Sequence, residues 1–527
     1  METDEQVVEL KKEKAEVECR LKVALGRIVK LEEESTQREA ALRQRIVELE
    51  EELKRQKESF QEKLKAEQGS IQEQLRGMQS QIEELKGQGA KNSHNSHKPP
   101  SSDGLRRKTH SRRKPSSRKS GGQNGHAGET RALSQKVDKV VIHRPERCEQ
   151  CGEDIQQRQG LLVERRQVHD LPKISLTVEE HQVEEVCCPH CRYRSRGSFP
   201  PEVKAVVQYG PNVRAWAVYL NQYQLIPMER TCQLMSEGLG CSISEGTLSN
   251  WVRQASEGLE ATIEKIKQGL IASPLCHSDE TGIHIDQILN YLHTACTRFL
   301  TYLQWHQKRG RVAINEIGIL PAFHGRLMRD RLSSYDAYDC DHSVCGTHLQ
   351  RDARGVFEQT RQPWAQRMEE TLETMNNVAH FWRDHGARSV PKPIRDYWVA
   401  QYFDTLAVGY AAQPPPPHSS ETLPKRKGPP KQTPAKNLLD AFLHRADQVL
   451  AFLDDLSLPF TNNQAERDLR MAKVQQKISG TFRAEEGATC FCRIRSYLST
   501  MSKQGHPLLA ALVAVFNGHP LPIAWSF

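Results

Sequence analysis

The stretch that most constrains this chain is Pro459–Arg483, PFTNNQAERDLRMAKVQQKISGTFR. Thr461, Asn462 and Asn463 favour a helix N-cap, and the run behind them has helical spacing with no Gly or Pro before Gly480. Glu466 falls within about two turns of that start. Arg467, Arg470 and Lys473 follow at intervals of three, so they share a face or flank it. A carboxylate beside Asn amides and a ladder of cations suits a group that holds a metal ion against a phosphodiester. A solvated, salt-bridged surface helix has the same spacing. Two acidic motifs upstream, HSDETGIHID and FHGRLMRD, have matching character and favour the first reading.

At 527 residues the chain is long enough for two or more domains, each with a core. The net charge of +8 is clustered rather than spread, which points to polyanionic partners. The longest apolar stretch, Leu508–Phe516, is too short to span a bilayer, and the charged N-terminus does not read as a signal peptide. Four of the 14 cysteines form two CxxC pairs, which reads as a reducing compartment with a metal site. These properties predict a cytoplasmic protein with no membrane partner.

Residues 1–88 contain no Pro, and apolar or tolerated residues recur at steps of three and four: Leu10, Lys14, Val17, Leu21, Ala24, Ile28, Leu31. Further registers begin at Leu42 and Ile71. This predicts a coiled coil with breaks in the heptad, and self-association as a homodimer or higher oligomer. Residues 89–134 change character. Arg106, Arg107, Lys108, Arg112, Arg113 and Lys114 belong to a run of eight Lys or Arg between Arg106 and Lys119 with no acidic residue among them. Such a run is expected to be a disordered linker whose cations neutralise DNA phosphates without reading sequence; a solubilising linker is the alternative.

Residues 135–204 hold CEQC (Cys148, Cys151) and CPHC (Cys188, Cys191), whose thiolates are expected to converge on one structural Zn²⁺. The 36 residues between the pairs predict a β-rich insertion. Cys187 and His190 are spare donors that leave the fourth ligand open. Residues 205–270 read as short helices, Asn212–Gln222, Met228–Gly238 and Glu245–Ile266. The segment CSISEGTLSNWV fits either a helix-turn-helix that reads DNA or a helical spacer.

Residues 271–358 alternate in a strand-like way. Asp279 is expected on a first strand, Thr294–Trp305 on an antiparallel neighbour, and Asp330 after a short strand Gly325–Arg329. Glu280 should then point to the face opposite Asp279. Cys340, His342, Cys345 and His348 could form a second zinc site or a core of reduced cysteines. Residues 359–458 are helical in composition (Trp364–Arg383, Leu438–Leu453), interrupted by a Pro/Lys-rich loop. The 136 positions from Asp330 to Glu466 predict an all-helical insertion before the last core segment, 459–527.

The 459–483 stretch resembles the C-terminal signature of DDE transposases of the insertion-sequence sixty-six family (the TnpC class), PF-x-NNQAER-x-x-R-x-x-K-x-x-Q-K-x-SG-x-FR. FHGRLMRDRLSSYDAYDCDH resembles the family's FHG-x-x-x-x-D-x-x-x-x-Y-x-x-YDC-x-H. CGTHLQRD departs from C-x-AHH-x-REL at Leu349, Asp352 and Ala353 while keeping His348 and Arg351. NSHNSHKPPSSDG is similar to the family's NSSNSSKPPSSDG. RQVHDLP at Arg166–Pro172 resembles its zinc-binding region.

The resemblance implies an α/β, ribonuclease-H-like catalytic core with an all-helical insertion, preceded by coiled coil, basic linker and zinc module. It implies a bacterial, nucleoid-associated transposase. Such an enzyme binds the terminal inverted repeats of an insertion sequence, frees a 3′-OH and joins it to target DNA. Asp279, Asp330 and Glu466 would form its triad on two Mg²⁺ (or Mn²⁺) ions, with Asp279 bridging both. Arg467, Arg470, Lys473 and Asn463 would contact DNA phosphates. Accessory element-encoded proteins are further partners of such systems. The alternatives are a non-catalytic DNA-binding regulator, or a nuclease without strand transfer.

Overall fold

The computed structural model of the protein describes residues 95, 131–172, 174–413 and 432–525. The chain divides into two units, 1–91 and 92–527, and every described residue belongs to the second. The coiled coil expected over 1–88, the cations Arg106, Arg107, Lys108, Arg112, Arg113 and Lys114, and the Pro/Lys loop over 414–431 lie outside the described residues.

Residues 131–204 carry little regular structure. Strands β1 (Glu185–Cys187) and β2 (Arg194–Arg196) form a hairpin, and an isolated bridge joins Arg147 to Asp154. Among the described residues, the β-rich insertion expected between the two pairs is reduced to Asp154 of that bridge and strand β1. Leu161, Val163, Val168 and Val178 are almost fully exposed, so no apolar face exists there for a sheet to bury.

Four helices follow: α1 (Pro211–Val218), α2 (Met228–Leu239), α3 (Glu245–Glu257) and α4 (Glu260–Ile271). The stretch expected as one helix, 245–266, breaks at Gly258–Leu259. Ser244 caps α3 by accepting the Thr247 N–H at 3.1 Å. Leu248, Trp251 and Val252 of α3 are buried in a core shared with Cys490, Ile494, Tyr497, Leu498 and Leu512 from the far end of the chain. Ser249, Asn250, Arg253 and Gln254 form its outer face. The helical region thus packs on the C-terminal helices, and α3 keeps a polar outer face.

A five-stranded mixed sheet forms the centre. Its strands are β3 (Leu275–Ile285), β4 (Ile288–Cys296), β5 (Thr301–His306), β6 (Arg326–Arg329) and β7 (Asp341–Val344), in the order β5-β4-β3-β6-β7. The first three form an antiparallel meander; β6 and β7 run parallel to β3 on its other side. The run 294–305, expected as one strand, is the end of β4, a turn and β5. Thr297 makes that turn by accepting the Phe299 and Leu300 N–H groups.

Helix α5 (Arg311–Ile317) joins β5 to β6. Helix α6 (Gly346–Thr360) leaves β7, and α7 (Pro363–Asp384), α8 (Lys392–Ala411), α9 (Pro434–His444) and α10 (Ala446–Asp454) follow. These helices share an apolar core built on Trp364, Met368, Leu372, Tyr402, Leu439 and Phe442, as expected for a helical insertion. The chain then returns through α11 (Asn463–Ser479), α12 (Glu485–Lys503) and α13 (Leu508–Phe516).

Helices α4 and α5 cover one face of the sheet and α11 and α12 the other. Edge strand β5 is sealed by α12: Ser496 Oγ accepts the Leu303 N–H at 2.8 Å and Thr500 Oγ1 the Thr301 N–H at 3.0 Å. Beyond the reach of β6, the open end of β3 is filled by Phe482, which exchanges backbone bonds with His284 and Asp286. The signature that starts at Pro459 thus begins beside β3 and ends on it.

Candidate active site

Sheet register brings the first two acids together. β3 and β6 pair in parallel with His277 opposite Met328, so Asp279 and Asp330 lie two residues further along both strands, level and on one face. Asp330 sits just past β6, where its Oδ1 accepts the Leu332 N–H at 2.8 Å. The neighbouring Arg329 is completely buried. Its guanidinium donates to His342 Nδ1, the Asp330 carbonyl, Asp336 Oδ1 and Gln448 Oε1, which fixes this loop between β7 and α10. Asp336 also receives Arg445 at 2.6 Å, so it is consumed as a structural acceptor.

The third acid arrives on α11. Asn462 is the N-cap residue, yet its side chain makes no capping bond. It is wholly buried and reaches across to β3: Nδ2 donates to the Ser278 carbonyl at 2.8 Å, and Oδ1 lies 2.9 Å from His277 Nδ1. Its backbone N–H donates to Cys345 Sγ at 3.2 Å. One residue pair earlier, the Phe460 carbonyl accepts the Gly346 N–H at 2.9 Å. The Phe460 ring occupies the place a Cβ at residue 346 would take, so a side chain there would have to displace the buried ring. These links clamp the start of α11 to β3 and α6 and bring Glu466, in the first turn, to the side of the sheet where its charge reaches Asp279.

The convergence appears in the electrostatics of Asp279. Burial first, then the charges of Glu280, Asp330 and Glu466, push its carboxyl well above the usual carboxylate range, against a bond from the Glu280 N–H. Glu280 points the other way, as the strand alternation requires. Its oxygens accept Tyr335 Oη at 2.6 Å and Arg309 Nε at 2.8 Å, while burial and Asp330 raise its pKa. Glu466 Oε1 is buried without a hydrogen-bond donor and lies 3.8 Å from His348 Nε2. The three carboxylates do not form a group within 4.8 Å of one another, yet hard oxygen donors of this kind, one with an orphaned oxygen, fit divalent ions.

Beside Asp330 a cleft of about 560 Å³ opens between the sheet and α9. It is lined by Arg309, Arg331, Asn437, His444 and Arg445. Arg467, Arg470 and Asn463 are exposed on α11. Lys473 is half-buried, and its ammonium donates to the Gly282 carbonyl, so it faces β3 instead of solvent. Cys340 and His342 lie together by Tyr338 and do not join Cys345 and His348. Sequence reading missed Asn462, Gly346 and Cys345 as positioning groups. Their signal was there, in the Asn-Asn pair and the Cys-Gly step, but its meaning depends on partners more than 100 residues away.

The two CxxC pairs adopt one turn. Cys148 and Cys188 each accept at the carbonyl from the residue four ahead, Gly152 and Arg192, both with left-handed φ (75° and 59°). Each donates its N–H to the residue five ahead. Backbone N–H groups of Cys151 and Gln150 on Cys148, and of Cys191 and His190 on Cys188, lower the thiol pKa. This donor set fits Zn²⁺, although the four sulfurs do not form a group within mutual ligating range.

A family profile described as "Transposase IS66 family" matches residues 206–490, and one described as a family of unknown function, DUF6444, matches 9–132. No curated protein matches the chain. The first profile spans more than half of the sequence and includes Asp279, Asp330 and Glu466. The chain belongs to the IS66 family of DDE transposases, catalytic polynucleotidyl transferases of DNA transposition.

Proposed function

We propose that this chain cuts the ends of an insertion sequence and joins them to target DNA through Asp279, Asp330 and Glu466 on a ribonuclease-H-like core. The observation that carries the reading is the β3–β6 register that sets Asp279 level with Asp330; Asp279, whose pKa is raised first by burial and Glu280, also feels the charge of Asp330 and, least, of Glu466. The antiparallel meander flanked by two parallel strands supports the core assignment.

The three carboxylates would hold Mg²⁺ or Mn²⁺. When bound, such ions activate the attacking oxygen and stabilise the leaving one. Asn462 holds Glu466 in place from β3, and buried Arg329 holds the Asp330 loop. Arg309, Arg331 and Arg445 line the cleft where a phosphodiester would lie, each partly neutralised by an acidic neighbour. Arg467, Arg470 and Asn463, exposed beside Glu466, contact flanking phosphates, as do the cations at 106–114. Lys473 contributes more to holding α11 on β3 than to DNA. Cys148, Cys151, Cys188 and Cys191 hold a structural Zn²⁺, and the N-terminal heptads join protomers around paired DNA ends. A water frees a 3′-OH at the element end, and that hydroxyl then attacks the target.

The test is a Mg²⁺-dependent cleavage and joining assay on labelled DNA ending in the repeats that flank the gene. Wild type should yield cut and joined products, whereas Asp279→Asn, Asp330→Asn and Glu466→Gln should bind the DNA without cutting it. Cleavage without joined product would reduce the protein to a nuclease. Binding without cleavage by wild type would make it a regulator.

A further inference from the structure

Cys345, His348 and Glu466 form a ligand set of which the chemistry above uses only Glu466. A sulfur, an imidazole nitrogen and a carboxylate oxygen lie within 4.8 Å of one another, the only such group of three among the described residues. Cys345 is fully buried at the start of α6, and His348 follows one turn on. Cys345-Gly-Thr-His348 repeats the spacing of both cysteine knuckles, with histidine in the last place.

The resemblance extends to the donors. Cys345 Sγ accepts the Asn462 N–H at 3.2 Å together with the N–H groups of His348 and Thr347. Cys148 and Cys188 are held by their own turn amides in the same manner. Amide donors aimed at sulfur favour the thiolate a metal requires, here against burial, which pushes the Cys345 thiol up to about 11. The carboxylate is equally prepared, since Glu466 Oε1 is buried without a hydrogen-bond donor 3.8 Å from His348 Nε2. A sulfur–nitrogen–oxygen set is softer than three carboxylates and suits Zn²⁺ over Mg²⁺.

We propose that Cys345, His348 and Glu466 form a site for a thiophilic divalent cation of the Zn²⁺ class, and that its occupancy withdraws Glu466 from Mg²⁺. Binding forms a metal–sulfur bond and releases the Cys345 thiol proton to solvent, with no change of oxidation state. Three protein ligands leave the fourth tetrahedral position to water. The inhibitory consequence rests on the reading of Glu466 as a catalytic carboxylate; the binding does not.

The probe is Co²⁺, whose near-ultraviolet thiolate charge-transfer band reports sulfur ligation and ignores carboxylate-only sites. It is added to the full chain in which Cys148, Cys151, Cys188 and Cys191 are serine, which removes the knuckles. The band should persist in this background. Adding Cys345→Ser should abolish it, and adding His348→Gln or Glu466→Gln should weaken Co²⁺ binding by about tenfold or more. No band in the background overturns the site. So does a band that survives Cys345→Ser, or one indifferent to both His348→Gln and Glu466→Gln. Those last two variants keep the decision open to experiment should Cys345→Ser fail to fold. In the cleavage assay, Zn²⁺ should inhibit Mg²⁺-supported cutting, and Cys345→Ser should raise the half-inhibiting Zn²⁺ concentration about tenfold or more. A chain that cuts DNA in no metal would defeat the transposase reading while leaving the cobalt result to judge the site.

Discussion

The carboxylate site and the cysteine knuckles both present ligand side chains, and they hold them by opposite means. Asp279, Asp330 and Glu466 owe their placement to strand register and to side chains that cross between elements, Asn462 and Arg329 above all, both with no exposed surface. Each knuckle is complete within six residues, through bonds from one backbone group to another. Around the first site a core surrounds the ligands; around the second, nearly every residue is exposed. The difference teaches where the energy comes from. A site built of distant carboxylates must have its mutual repulsion offset by packing before any ion arrives. A site built of local turns can leave its closure to the metal.

The comparison breaks most visibly at Asn462. Asn462→Ala removes the bonds to Ser278 and His277 and leaves buried partners unsatisfied, a loss of about 4 kcal/mol. Glu466 would shift with the start of α11, and a displacement of about 1 Å is enough to lower cleavage about a hundredfold. Denaturant unfolding together with the cleavage assay reads both effects. Unchanged stability would show that α11 is held by its apolar face alone.

A second effect separates the regions by pH. His293 on β4 is buried, and burial lowers its pKa to about 4, with a bond to the Lys308 carbonyl opposing the shift. A histidine with a depressed folded pKa binds protons more readily when unfolded. Its neutral form therefore contributes stability that is present above about pH 6.5 and is lost as pH falls toward 4. The sheet should lose up to about 3 kcal/mol over that window. His293→Gln should flatten this part of the pH–stability curve measured by thermal unfolding; an unaltered slope would assign it to other groups, such as His277, whose pKa burial also lowers.

The smallest effect is expected at the knuckles. Cys151→Ser should lower the zinc content and expose 131–204 to protease. The main unfolding transition should move by no more than about 0.5 kcal/mol, the range of surface substitutions. A larger shift would mean that the knuckle segment braces the sheet.

Some of this was legible in the sequence because the signals were local. Gly480 ends α11 where its position says it must, Ser244 caps α3, and the alternation around Asp279 places Glu280 on the opposite face. The misses share a cause. Thr294–Trp305 read as one strand because the turn at Thr297–Leu300 contains no Gly or Pro; it is made by a threonine hydroxyl. Asn462 read as a helix cap because short polar side chains usually bond to nearby backbone. A buried carbonyl on β3 offered a competing partner, which no local pattern reveals. Lys473 read as part of a cationic ladder until the packing of α11 turned it toward Gly282.

By itself, then, the sequence determined the family, the identity of the three acids as candidates, the helical character of the described residues of 363–454, and the two matching cysteine turns. Each of these depends on short-range chemistry: residue type, spacing and the conformational limits of a few dihedrals. Tertiary structure alone decided that Asp279 and Asp330 lie level, that Asn462 and Phe460 anchor the start of the helix carrying Glu466, and that Cys345 and His348 stand beside that carboxylate. Those arrangements depend on strand register and helix docking, where burying one face fixes groups far apart in the chain at distances that no spacing along it encodes.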